Sequence, residues 1–184
     1  METLTFKPEN LPDPIVIRSM QLEDLEQVQA LDQMSFSLPW PASAFRYELV
    51  ENLSSRLWVA ETGGQTPRVV GMIVIWQILD EAHIASIAVH PDFRKLGIGA
   101  RILSVGLIDA IRAGSILATL EVRAHNTAAQ ALYHRFRFEE VGRRPRYYKD
   151  NQEDALLMTV VFERAGSQGE SYLEWLERGR WQET

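Results

Sequence analysis

The sequence predicts a single α/β (α+β) domain whose mixed, mostly antiparallel central sheet is flanked by helices. Three observations lead there. A run of strand-like segments with tight connections occupies the middle of the chain, over 56–60, 69–79 and 82–89. Helix and strand then alternate over 97–113, 116–123 and 127–136, and two further strand-like stretches, around 138–148 and 155–162, close the sheet.

Each element follows from its own pattern. Residues 1–14 carry three prolines and read as a loose lead-in. Ile15 to Arg18 is a short strand. From Gln21 to Met34, Leu22, Leu25, Val28, Leu31 and Met34 recur at helical spacing. Leu38-Pro39-Trp40-Pro41 breaks that helix, and a second runs from Ala42 to Val50. Thr62-Gly63-Gly64 is a turn between strands. Over 97–113, Ile98, Ile102, Val105, Ile108 and Ile111 line one helical stripe. The domain is expected over 15–162. Beyond it, in a tail at 163–184, Tyr172, Trp175, Leu176 and Trp181 sit at spacings a helix can use, either packed on the domain or offered to a partner.

Composition limits the function. The 184 residues carry 25 acidic and 19 basic side chains, a net charge of −6, which argues against coating nucleic acid and tolerates a basic peptide as partner. No cysteine is present, which removes disulfides, thiolate metal sites and a cysteine nucleophile, and suits a reducing cytoplasm. The first residues lack the pattern of a signal peptide, and no apolar run reaches the roughly 18 residues of a membrane helix. His90, His125 and His134 show no metal-ligand spacing, so no metal is expected.

The most informative segment runs from Val89 to Ala100: a strand ends, Pro91 turns the chain, Arg94 and Lys95 follow, and Gly97 and Gly99 open a helix. The first N–H groups of a helix lack internal partners and carry partial positive charge, and glycines let an anion approach the backbone. A ligand-free glycine turn has the same local pattern. A P-loop is excluded, for no G-x-x-x-x-G-K-S/T run exists. A dinucleotide turn lacks its third glycine, which is Ile102 here, although Glu121 lies about 20 residues on.

These residues resemble the GNAT superfamily of N-acetyltransferases, whose pyrophosphate motif, Gln/Arg-x-x-Gly-x-Gly/Ala, is matched by Arg94 to Gly99. Leu120-Glu121-Val122-Arg123, Asn126 and Ala131-Leu132-Tyr133 are similar to a signature of the ribosomal-protein-alanine N-acetyltransferases within it. Leu38-Pro39-Trp40, Arg143 to Tyr148 and Glu153-Asp154-Ala155 resemble further blocks of that group. The resemblance covers about 15–162. It departs at Arg137, where the family usually has the glycine that ends a helix in a left-handed conformation, which leaves room for a different helix end.

The resemblance implies a direct acetyl transfer from acetyl-CoA, without metal, to the amino terminus of a protein, an alanine of a small-subunit ribosomal protein in the first instance. It implies Glu121 as general base and Tyr133 as general acid. It also implies a donor site formed by Ile87, Ala88, Val89, Arg94, Lys95, Leu96, Gly97, Ile98, Gly99, Ala100 and Asn126. Gln33, Trp40 and Tyr147 are the candidates for the acceptor groove. A small amine, a lysine or other protein termini are alternative acceptors, and a non-catalytic acyl-CoA-binding module is the alternative of another class. A cytoplasmic monomer or weak dimer is expected.

The residues themselves are compatible with this. On strand 116–123 Glu121 shares a face with Leu117, Thr119 and Arg123, where a carboxylate serves either proton transfer or a salt bridge to Arg123 or another cation. Tyr133 is equally an aromatic core residue beside Ala129, Leu132 and Phe136, and Asn126 is also a natural helix N-cap. An α-amino group titrates near 7.7–8.0, so roughly a tenth is neutral at pH 7, and a base need supply only about 1–1.5 kcal/mol; a lysine asks for far more.

Overall fold

The stripe of isoleucines read over 97–113 forms helix α3 (Ile98–Arg112), and its inward positions Ile98, Ile102 and Leu103 lose all or nearly all contact with water. The computed structural model describes residues 3–9, 11, 13–162 and 170–182. Residues 1, 2, 10, 12, 163–169, 183 and 184, which fall in the expected lead-in and tail, lie outside the described residues.

Eight strands form among the described residues: β1 (Leu4–Phe6), β2 (Ile15–Ser19), β3 (Ser55–Thr62), β4 (Val69–Ile78), β5 (Glu81–Val89), β6 (Leu117–Arg123), β7 (Glu139–Arg144) and β8 (Ala155–Val161). The other helices are α1 (Leu25–Ser35), α2 (Ala44–Val50), α4 (Thr127–Arg135) and α5 (Tyr172–Glu177). This is the mixed α+β architecture that the sequence predicts. One strand is additional. Proline-rich as it is, the lead-in supplies β1, which pairs antiparallel with β2 through Leu4–Ile17 and Phe6–Ile15. Three residues are too few to show alternation, so the strand leaves no periodic signal.

The described residues pack as two units, each discontinuous in sequence: Met1–Trp76 with Ser86–Gly106, and Gln77–Ala85 with Leu107–Thr184. In the first, strands run β1-β2-β3-β4 and then the end of β5, with the first four paired antiparallel. Val70 and the run Met72 to Ile75 in β4 are fully buried on both faces, which explains why that strand is continuously apolar. Gly106 of α3 lies against β4 so closely that a Cβ there would come within 2.7 Å of Ile75.

In the second unit the order is β5-β6-β8-β7, with β5 and β6 parallel and the remaining pairs antiparallel. Along β6, Ala118, Leu120 and Val122 face the core and Leu117, Thr119, Glu121 and Arg123 face the half-exposed side. The tail packs on this unit. Tyr172, Trp175, Leu176 and Trp181 are buried, the Tyr172 hydroxyl donates to the Phe136 carbonyl at 2.6 Å, and Phe136 stacks with Trp181.

Arg137 shows why the glycine of the family is dispensable here. It adopts φ +62°, the left-handed conformation, and α4 closes through Phe138 N–H to Tyr133 O and Arg137 N–H to His134 O. The helix thus ends in the left-handed conformation without a glycine. A non-glycine residue costs about 1–2 kcal/mol in that conformation, and the Arg137 guanidinium lies over the Trp175 ring, 4.5 Å from its centroid. The cation–π contact offsets part of that cost.

Candidate active site

In the first unit, β5 ends at Val89, and the 3-10 turn Pro91–Phe93 leads into the loop before α3. The turn is fixed by His90, whose Nδ1 accepts the Asp92 N–H at 3.2 Å, while Arg94 Nε donates to the Val89 carbonyl at 3.1 Å. Two positive-φ conformations follow on either side of Leu96, Lys95 at φ +64° and Gly97 at φ +76°. They reverse the chain so that it enters α3 with the N–H groups of Ile98, Gly99 and Ala100 at the helix mouth. Those groups have no partner inside the helix. A Cβ at Gly97 would run into the Arg101 guanidinium, which donates to the Gly97 carbonyl and lies over the Phe6 ring at 4.2 Å. Burial pulls the Arg101 pKa down. The loop therefore has the features an anionic diphosphate requires: missing side chains, unpaired N–H groups and a positive helix end. Arg94 and Lys95 are exposed, Leu96, Gly97 and Gly99 half-buried, Ile98 and Ala100 buried. Ile87 and Val89 are half-buried on one face of β5, with Ala88 buried on the other.

The first unit also holds Gln33 and Trp40. Gln33 is exposed on α1. Trp40 stacks on Phe45 at 5.0 Å and on Trp76 at 6.2 Å, and its N–H donates to Asp32 Oδ2 at 2.7 Å. Asp32 is 1% exposed, its Oδ1 has no hydrogen-bond partner, and burial raises its pKa against the opposing pull of the Trp40 N–H. Asp32 thus anchors the Leu38-Pro39-Trp40 loop, a role that a lone acid in an amphipathic helix does not announce.

The second unit holds the remaining candidates. Glu121 is joined not to Arg123 but to two other cations or donors: Arg144 of β7 at 2.9 Å on Oε1 and His83 Nε2 at 3.3 Å on Oε2. The parallel register sets His83 beside Thr119, and His83 Nδ1 lies 3.1 Å from the Thr119 hydroxyl. Arg123 turns to Asp150 at 2.8 Å and Glu153 at 3.2 Å, with its guanidinium 3.9 Å above the Tyr148 ring. Glu153 also accepts the His125 N–H at 2.7 Å and the Asn151 amide, and these donors, with Arg123 and the His125 ring, bring its pKa down to about 2.

Tyr133 is buried on α4, 5.8 Å from Phe138, and burial, with Tyr148 adding to it, holds its hydroxyl well above the ordinary tyrosine range. A phenol so shifted keeps its proton at neutral pH. Burial likewise pushes Tyr148 up to about 12, against the pull of Arg123. Asn126 caps α4 by accepting the Ala129 N–H at 3.1 Å. Tyr147 is 42% exposed and packs edge-on against Tyr148, 5.2 Å away, with Arg144 over its ring at 5.5 Å. His83 is a polar neighbour that the sequence did not single out, and the partnerships of Thr119, Arg144 and Glu153 were not legible in it either.

The model of the acetyltransferase (GNAT) family matches residues 25–138, more than half of the chain. The chain belongs to the GNAT acetyltransferase family. It is an N-acetyltransferase. The family match spans the loop at 94–100, Glu121 and Tyr133. Among relatives, the chain is 31% identical over 147 residues to the [ribosomal protein bS18]-alanine N-acetyltransferase of Escherichia coli K12, covering 78% of this chain and 95% of that one. It is 33% identical over 149 residues to the N-alpha-acetyltransferase RimI of Mycobacterium tuberculosis, covering 79% and 92%. The crystal structure of the ribosomal-protein-S18-alanine N-acetyltransferase from Escherichia coli superposes with a TM-score of 0.71 over 83% of this chain and 97% of that one. No described helix is long and apolar enough to cross a membrane.

Proposed function

We propose that this GNAT enzyme is a cytoplasmic N-alpha-acetyltransferase that moves the acetyl group of acetyl-CoA to the N-terminal alanine of a small-subunit ribosomal protein. The observation that carries the reading is the likeness over 95% of the length of the Escherichia coli enzyme whose name states that reaction. The chemistry of the residues supports it. The N–H groups that open α3 and the side-chain-free Gly97 suit the diphosphate of the donor, with Asn126 as a further contact. Ile87, Ala88 and Val89 are the candidates for a backbone N–H beside the reacting carbonyl.

The thioester supplies an activated acetyl group. Glu121 accepts a proton from the acceptor ammonium, directly or through a water, which frees the amine to attack. Tyr133 holds a proton at neutral pH and donates it to the departing thiolate, and the second proton that leaves the nitrogen as the tetrahedral adduct collapses replaces it on Tyr133 by way of solvent. Gln33, Trp40 and Tyr147 are the proposed acceptor contacts. Because an α-amino group is already about a tenth neutral at pH 7, a carboxylate base is sufficient for it, whereas a lysine would demand a few hundredfold more deprotonation.

The test is a panel of peptides with free N-terminal Ala, Ser or Met, or an internal Lys, acetylated by wild type, Glu121→Gln and Tyr133→Phe. The expected result is preference for N-terminal Ala and a loss in kcat of about 100-fold or more for Glu121→Gln. Preferential acetylation of the internal Lys would overturn the acceptor assignment. Full turnover by both variants would overturn the mechanism.

A further inference from the structure

Glu121 is held at both oxygens, and the two partners differ in kind. Arg144 reaches Oε1 from β7 on a long side chain that is 53% exposed. His83 reaches Oε2 from β5 with a rigid ring whose side chain is 25% exposed. The ring is itself fixed, since the parallel pairing of His83 with Thr119 brings the threonine hydroxyl to 3.1 Å from Nδ1. The tautomer that serves both contacts carries its proton on Nε2 and directs it at Glu121, while Nδ1 accepts the Thr119 hydroxyl proton. Strand order makes this row possible. β5 and β6 are neighbours in register, so His83, Thr119 and Glu121 emerge on the same face.

We propose that His83 is a positioning residue for Glu121, holding its carboxylate in one rotamer through the chain Thr119–His83–Glu121. The proposal rests on the reading of Glu121 as general base. His83 acts through Glu121 and not on substrate, because both of its ring nitrogens are engaged by the protein. Stability alone gives little reason for the contact, since partly exposed pairs of this kind contribute little to folding. Orientation gives a stronger one: a glutamate has three rotatable bonds, and a base displaced by about 1 Å from its proton can lose on the order of a hundredfold in rate. One lone pair of each oxygen can be spent on holding the group while others remain for the amine.

Steady-state kinetics of the full chain, with acetyl-CoA and a peptide bearing a free N-terminal alanine, tests this through His83→Leu, His83→Gln, His83→Asn, Glu121→Gln and the His83→Leu/Glu121→Gln double variant. His83→Leu is expected to lower kcat about 10- to 100-fold, with the KM for acetyl-CoA nearly unchanged. His83→Gln restores most of the loss, because its amide N–H reaches the place of Nε2; His83→Asn, whose amide reaches only the place of Nδ1, does not. In the Glu121→Gln background, His83→Leu adds less than about twofold, the non-additivity of two groups acting as one. Wild-type kcat in His83→Leu, alongside an impaired Glu121→Gln, overturns the positioning role and leaves the base standing. Wild-type kcat in Glu121→Gln removes both. Fully multiplicative losses show independent residues and also overturn it. If His83→Leu does not fold by circular dichroism, equal rates for the Gln and Asn variants overturn the positioning role in its place.

Discussion

The loop at 94–100 and the charged network on β6 and the segment before β8 both handle charge, yet they are made of different materials. The loop uses backbone: N–H groups at the mouth of α3 and two residues at positive φ. Its side chains are exposed or absent where an anion would lie. The row uses side chains, with Glu121, Arg123 and Glu153 each fixed by partners from distant parts of the sequence. A backbone site should break at one position and ignore most substitutions around it. A side-chain network should lose function in steps and should respond to pH.

The largest expected effect on donor binding is therefore at Gly97. Valine cannot hold φ +76° without strain of about 1–3 kcal/mol, and its side chain would run into Arg101. The loop would leave the conformation that presents its N–H groups, and acetyl-CoA should bind about 10- to 100-fold more weakly by calorimetry, with Glu121 untouched. Affinity within threefold of wild type would mean that the loop is not the donor site.

Next in size is Glu153, the anchor that ties the turn at His125 to Arg123. Its folded-state pKa, about 2, lies below the ordinary 4.5, so it stabilises the fold above the unfolded value and loses that contribution as pH falls towards 2. The sign is fixed by the direction of the shift. Glu153→Gln should lower Tm at pH 7 by several degrees, and the gap to wild type should close between about pH 4.5 and 2, where both chains carry a neutral side chain. A gap unchanged at low pH would show that packing, and not charge, links Glu153 to its neighbours.

The same contrast explains what can be read from the sequence. The loop is legible because its parts are consecutive: strand end, Pro91, cations, two glycines and a helical stripe. Glu121, Tyr133 and Asn126 enter through the resemblance, which their local blocks carry. The pairing of Glu121 with His83 and Arg144, and of His83 with Thr119, does not, because only strand pairing brings these residues together. Arg123 is the partner of Glu121 that the sequence suggests, being two residues away on the same face. It turns instead to Asp150 and Glu153, which stand on the segment between β7 and β8. Strand β1 escapes the sequence for another reason, since three residues are too few to show a repeated alternation. Helix α5 and its aromatic face are legible from spacing alone, but the contact of Trp175 with Arg137 is not.

The smallest expected effect is the sharpest test of the contrast, and it lies at Lys95. This residue holds φ +64° in the middle of the loop and is exposed. Two accounts of it differ in what they predict. If its charge draws in the diphosphate, Lys95→Gly should weaken acetyl-CoA binding markedly, and most so at low salt. If the backbone is the binding element, glycine is the residue best suited to that conformation. The substitution then relieves about 1 kcal/mol of strain and adds a similar amount of unfolded-chain entropy, so stability should change by less than about 1 kcal/mol. Affinity should stay within about threefold, since a solvated ammonium contributes little at physiological salt. Calorimetry at two salt concentrations separates the accounts. A loss of more than tenfold that shrinks on adding salt would make the loop a charged site after all, and would move the explanation for Gly97 from N–H groups to the placement of its cationic neighbours.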